Sequence, residues 1–189
     1  MANIADNTEK KGSTKSSNFT DHVYSGHPQV SDEYLKRFPE GLRECLKNNE
    51  DSKISFQDEV YTDFEEITVY RAVTSPENIH SYDFLGNVEK RELDRSHCKK
   101  WQIEDFHWHS VSVNENKDEL KKVTRFPNQH IQGIAKGIMK CHYGPADFVP
   151  GKAHHNWYLF DGANEEVCKD FSMDEPNSHL SGVTNGGDS

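Results

Sequence analysis

Two adjacent histidines, a tryptophan and an aspartate stand inside one short apolar run, KAHHNWYLFDG, at residues 152–162. Imidazoles raise the question of metal chemistry first. The chain has 11 histidines. His107 and His109 lie two apart, and His142, His154 and His155 follow, so neighbouring strands would bring several together as ligands for a zinc-type ion. No HExxH, no H-x-E followed by C-x-x-C and no fixed Cys/His spacing accompanies them. No bound metal is therefore expected, and a histidine-cluster metal protein stands as a third reading. Nucleophilic catalysis has less behind it, because Cys45, Cys98, Cys141, Cys168 and the serines lack a local signature such as G-x-S-x-G.

A second constellation runs along the chain in order. VYRAV supplies Arg71 near a strand end, WHSVSV supplies Ser110 and Ser112 on a strand, and DGANEE supplies Glu165 and Glu166 after a later strand. This order resembles the arginine, serine and glutamate of the mono-ADP-ribosyltransferases. Where that family has serine-threonine-serine the strand reads SVS, and its glutamate-x-glutamate turn reads EE. The resemblance implies NAD as cofactor, with Arg71 and the neighbouring Tyr70 at its phosphates. Ser110 or Ser112 would orient a carboxylate, and Glu165 or Glu166 would steady the ribose cation as nicotinamide departs. The same residues have structural uses: an ion pair for Arg71, a solvated strand face for the serines and a helix start for the glutamates.

Short elements must position these groups. Ser31 caps a helix over DEYLKRF, and Pro39 opens another in which Leu42, Cys45 and Leu46 recur at helical spacing. EITVYRA, 66–72, alternates Ile67, Val69 and Arg71 against Thr68, Tyr70 and Ala72 as strands do. HWHSVSV, 107–113, predicts a strand with His109, Val111 and Val113 on one face and Trp108, Ser110 and Ser112 on the other. Asn114 is then expected to cap a charged helix resting on Leu120 and Val123. IQGIAKGIMKCH, 131–142, reads as a long strand with Gly133 and Gly137 on one face, where another backbone or a ligand must come close. In KAHHNWYLFDG, Trp157 and Leu159 share a face before Asp161-Gly162 turns the chain. Strands and short helices without regular βαβ alternation predict an α+β fold: a single domain with a mainly antiparallel sheet and a few short helices.

Residues 1–28, polar and nearly without apolar side chains, are expected to form a disordered arm, and 174–189 a flexible tail, around one domain over 29–173. An apolar share of 33% agrees with a modest core or partly unfolded chain. Against 22 Lys and Arg stand 32 Asp and Glu, a net charge of −10 that repels a phosphate backbone and argues against nucleic-acid binding. That charge suits a basic protein partner. The alternative to the enzyme is thus a non-catalytic acidic interaction protein of immunity or inhibitor type, anchored by aromatics such as Trp101, Trp108, Trp157 and Tyr158. No run of about 18 apolar residues and no leader-like h-region is present, and the isolated cysteines read as reduced thiols. A soluble, cytoplasmic protein without a membrane partner is expected, and enzyme and binding protein both fit.

Overall fold

The computed structural model describes residues 22–148 and 151–177; most of the expected arm, 1–21, and of the tail, 178–189, lies outside the described residues. Helices come early. Ser31 Oγ accepts the Tyr34 amide and starts α1, Asp32–Leu35. Pro39, which has no amide hydrogen to leave unpaired, precedes α2, Glu40–Asn48. Asn49 Oδ1 accepts the Ser52 amide and starts α3, Glu50–Glu59. Leu42, Cys45 and Leu46 are buried on one face of α2, where they join Leu35, Phe38, Phe56, Val60, Phe106 and Tyr158 in a helical core layer.

The strands begin with β1 (Tyr24–Ser25), β2 (Val60–Tyr61), β3 (Asp63–Phe64) and β4 (Ile67–Val73). A 3₁₀ turn at Ser81–Phe84, then α4 (Asn87–Leu93), α5 (Lys100–Glu104) and a second 3₁₀ turn at Phe106–His109 lead to β5, Val111–Asn114. After α6 (Lys117–Thr124) come β6 (Gly133–Met139), β7 (Ala146–Phe148), β8 (His154–Trp157), α7 (Asn164–Val167) and β9 (Phe171–Pro176). Among the described residues seven strands form one antiparallel sheet in the order β2-β7-β8-β5-β4-β6-β9, and β1 pairs with β3 alone. The fold is α+β, a single domain with a mainly antiparallel sheet. Val69, Val73, Val111, Val113, Met139 and Trp157 fill its core.

The sheet is continuous in name only at its middle. β4 pairs with β6 from Ile67↔Met139 to Val73↔Gly133, but with β5 only at Tyr70↔Asn114. It therefore parts into two halves, β2-β7-β8-β5 and β4-β6-β9. Arg71 bridges the seam: Nε donates to the Asp83 carbonyl at 3.0 Å, and Nη1 donates to the Ser112 carbonyl across the gap.

Several expectations are corrected. Tyr24 and Ser25, placed by composition in the arm, pair with β3, and the Tyr24 ring stacks on Phe148 at 5.1 Å. β9 runs through Pro176, beyond the expected end at 173, because its backbone pairs with β6. The strand expected over 107–113 begins only at Val111. Asp105 Oδ1 takes the His107 amide at 3.1 Å and winds 106–109 into a 3₁₀ turn that sends Phe106 into the helical core. Asn116 rather than Asn114 caps α6, whose Val123 is exposed.

Candidate active site

Antiparallel register decides which polar residues meet. Ser112 lies opposite Asn156 and Asn114 opposite His154, so Ser112 and His154 are diagonal neighbours on one face of β5 and β8. The Ser112 hydroxyl and His154 Nε2 are 2.6 Å apart. With the ring proton on Nδ1, Nε2 accepts from the hydroxyl, the contact of a nucleophile or orienting hydroxyl with its base. Burial, and then the adjacent His155, lowers the His154 pKa, which favours the neutral ring this bond requires. The pair opens into a cleft of about 500 Å³ that also holds Asn114, Glu119, Val123 and Lys152.

Behind the cleft, Arg71 fixes the Ser112 strand through its carbonyl. Burial lowers the guanidinium to about 10, partly offset by Asp83, so it remains a cation at neutral pH. Lys90 shares the Asp83 carbonyl at 3.1 Å, and burial together with Arg71 lowers its amine to about 7. One fixed positive charge thus sits in the seam, with a second amine close to neutrality.

The residues expected from sequence are sorted unequally. Arg71 and Ser112 are brought into direct contact. Tyr70, half-buried opposite Asn114, shares the cleft face. Ser110 is buried and donates to His107 O at 2.7 Å, with Asn156 Oδ1 at 3.2 Å. It ties β5 to the 3₁₀ turn and β8. Glu165 and Glu166 are exposed in the first turn of α7, which rests on the Ser81–Phe84 turn through Asn164. Glu166 pairs with Lys169 at 2.8 Å, and neither carboxylate lines the cleft. The carboxylate found there is Glu119, which only the packing of α6 beside β5 brings into place.

The histidines separate. His154 and His155 point to opposite faces because strand side chains alternate. His155 joins Glu115 at 2.6 Å and His22 lies on the same carboxylate at 2.7 Å. His107 lies among Asp105 (2.9 Å), Glu59 (3.4 Å) and Asp147 (3.9 Å). His109 is buried against Glu89 at 2.9 Å and the Ile103 carbonyl at 3.0 Å. Burial alone would lower its pKa, but contacts with Cys45 and Glu89 carry it up to about 10. His142 is exposed.

No helix among the described residues is long and apolar enough to cross a membrane. Set against known protein families, curated proteins and solved structures, the chain matches none of them.

Proposed function

We propose that the protein is an NAD-dependent ADP-ribosyl-transferring enzyme that works from the β5–β8 cleft with Arg71, Ser112 and His154 in linked roles. The observation that carries this reading is the 2.6 Å contact between Ser112 and His154 at the floor of a cleft that also holds a lysine and a carboxylate. The resemblance supplies the order arginine, serine, third group. Here the third group that the serine hydroxyl meets is His154, not Glu165 or Glu166.

The chemistry divides as follows. Lys152 at the cleft lip attracts the pyrophosphate, while Arg71 contributes a fixed charge from behind the strand. The glycosidic bond to nicotinamide breaks, and the nicotinamide leaves with the bonding pair. Glu119 faces the positive charge that develops on the ribose. The acceptor attacks the ribose carbon and gives its proton to the Ser112 oxygen, while the Ser112 hydroxyl proton passes to His154 Nε2. Calorimetric titration with NAD tests the binding step: Lys152→Ala is expected to weaken binding by roughly 1.5–3 kcal/mol, the value of a charge-assisted hydrogen bond. No heat from the wild-type protein at millimolar NAD removes the reading.

One observation favours a second reading, the acidic protein that masks a basic partner. A groove of about 410 Å³ between α3 and α5 is lined by Asp51, Glu104, Asp105 and Trp101, and Trp101 is 53% exposed. An aromatic face among carboxylates suits a Lys or Arg side chain of a partner. Under this reading Trp101→Ala abolishes capture of a basic partner and leaves NAD binding untouched.

A further inference from the structure

Across the sheet from the cleft, three elements that are distant in sequence deliver nitrogen and oxygen donors to one point. His155 lies on the core face of β8 opposite Val113, and Glu115 follows Val113 by two residues, so the two side chains fall on the same side. His22 arrives from the segment just before β1, whose Tyr24 stacks on Phe148. His22 Nε2 and His155 Nε2 sit 2.7 and 2.6 Å from the two oxygens of Glu115. One donor atom from each residue lies within 4.8 Å of the others. His155 Nδ1 has no hydrogen-bond partner, so Nε2 is the atom that the cluster engages.

We infer that His22, Glu115 and His155 form a binding site for a divalent transition-metal ion of the zinc type, a site independent of the proposed ADP-ribosyl chemistry. Two imidazoles and one carboxylate are the ligand set that zinc takes when three protein groups leave a fourth position for water. Imidazole donors also select against magnesium and calcium, which prefer oxygen. Zinc at about 2.0–2.2 Å from each donor needs those donors about 3.3 Å apart, a small adjustment of side chains already gathered this closely.

Two further features fit a metal site. Glu65 Oε1 lies 3.3 Å from His22 Nδ1, on the ring nitrogen that would face away from the ion. A carboxylate there fixes the ring and its tautomer, as such partners do around ligating histidines. The Phe148 ring, 4.9 Å from His155, shields the cluster on its apolar side. The ion would staple the segment before β1 to β8 and to the turn after β5.

The test is titration of the full chain with zinc chloride, followed by calorimetry and thermal unfolding, with cobalt(II) as a spectroscopic substitute. The expected result is one equivalent bound, a raised melting temperature and the visible bands of four-coordinate cobalt. His22→Ala and Glu115→Gln should each weaken binding about tenfold or more. His107→Ala, which alters the separate Glu59–His107–Asp147 cluster, should change nothing. His22 is half-buried at the start of the described chain, so its variant decides the matter even if Glu115→Gln fails to fold. Failure to bind zinc at micromolar concentration overturns the inference. So does binding that survives His22→Ala undiminished, or binding lost in His107→Ala.

Discussion

Single residues carry more of this protein's polar architecture than their sequence context reveals. Ser112 is legible as a strand serine, but its partner is not, because the diagonal contact with His154 depends on how β5 and β8 align across 42 residues of chain. Adjacency in HHN predicts only that His154 and His155 face opposite ways. Arg71 stands where alternation puts it, yet its work is to satisfy two backbone carbonyls in the seam. Arg71→Ala removes a donor from both carbonyls, leaving Lys90 alone on that of Asp83, and should destabilise the fold by about 2–4 kcal/mol, read as a lower denaturant midpoint. Arg71→Lys, with its charge but no fork, should recover only part of the loss. The buried His109–Glu89 pair gives a pH-dependent expectation. The folded pKa, about 10, stands above the ordinary 6.5, so the stabilisation is complete below 6.5 and fades as pH rises toward 10. Lys90, held down to about 7, acts oppositely: its desolvation penalty is relieved as pH climbs above 7. The difference between variant and parent isolates the pair. Glu89→Gln should be less stable by about 3 kcal/mol in mild acid, with the gap closing toward pH 10. A gap that stays constant with pH contradicts the assignment.

Elements were legible where a local signal and a tertiary contact agree. Ser31 and the Leu42, Cys45, Leu46 spacing announce α1 and α2, and both form, though α1 ends at Leu35 rather than running through the whole of DEYLKRF. The run from 107 to 113 alternates like a strand throughout, but the Asp105 cap and the pull of Phe106 into the helical core win over its first half. Neither competitor appears in a period-two pattern. The glycine face of β6 does have a close neighbour, but the nearest atoms are side chains of β9 rather than the backbone or ligand expected from sequence. A Cβ on Gly137 would run into the Phe171 ring, and one on Gly133 would meet the Met173 sulfur at 2.6 Å. Gly137→Leu should therefore overpack the β6–β9 contact and cost about 1–3 kcal/mol, measured as a lower urea midpoint at unchanged slope. An unchanged midpoint means that β9 can lift away, and the close approach does not hold the strand.

At the scale of the whole molecule, the antiparallel α+β architecture follows from irregular strand spacing without βαβ repeats, whereas the parting of the sheet at β4 and β5 does not. It arises because these strands share one pair, Tyr70↔Asn114, a fact of tertiary register. That parting places a charged seam behind Ser112 and His154, while Glu119 and Val123 of α6 and the segment leading into β8 wall the cleft in front of them. Glu165 and Glu166 read naturally as the acidic end of the chemistry because they follow β8 in sequence, but Gly162 turns the chain and α7 carries them to an exposed surface. Glu119 takes the place beside the pair through the packing of α6, which sequence order hides. Under the proposed function, Ser112 and His154 act together on NAD in this cleft. The direct measurement is release of nicotinamide from NAD by the purified full chain, followed by chromatography, for the parent, Ser112→Ala, His154→Ala and Glu165→Gln. The parent and Glu165→Gln should release nicotinamide at similar rates. Loss of the general base should slow His154→Ala by about 100-fold or more, and Ser112→Ala should follow it with NAD affinity nearly unchanged. Turnover that survives His154→Ala, or that vanishes with Glu165→Gln, contradicts the claim.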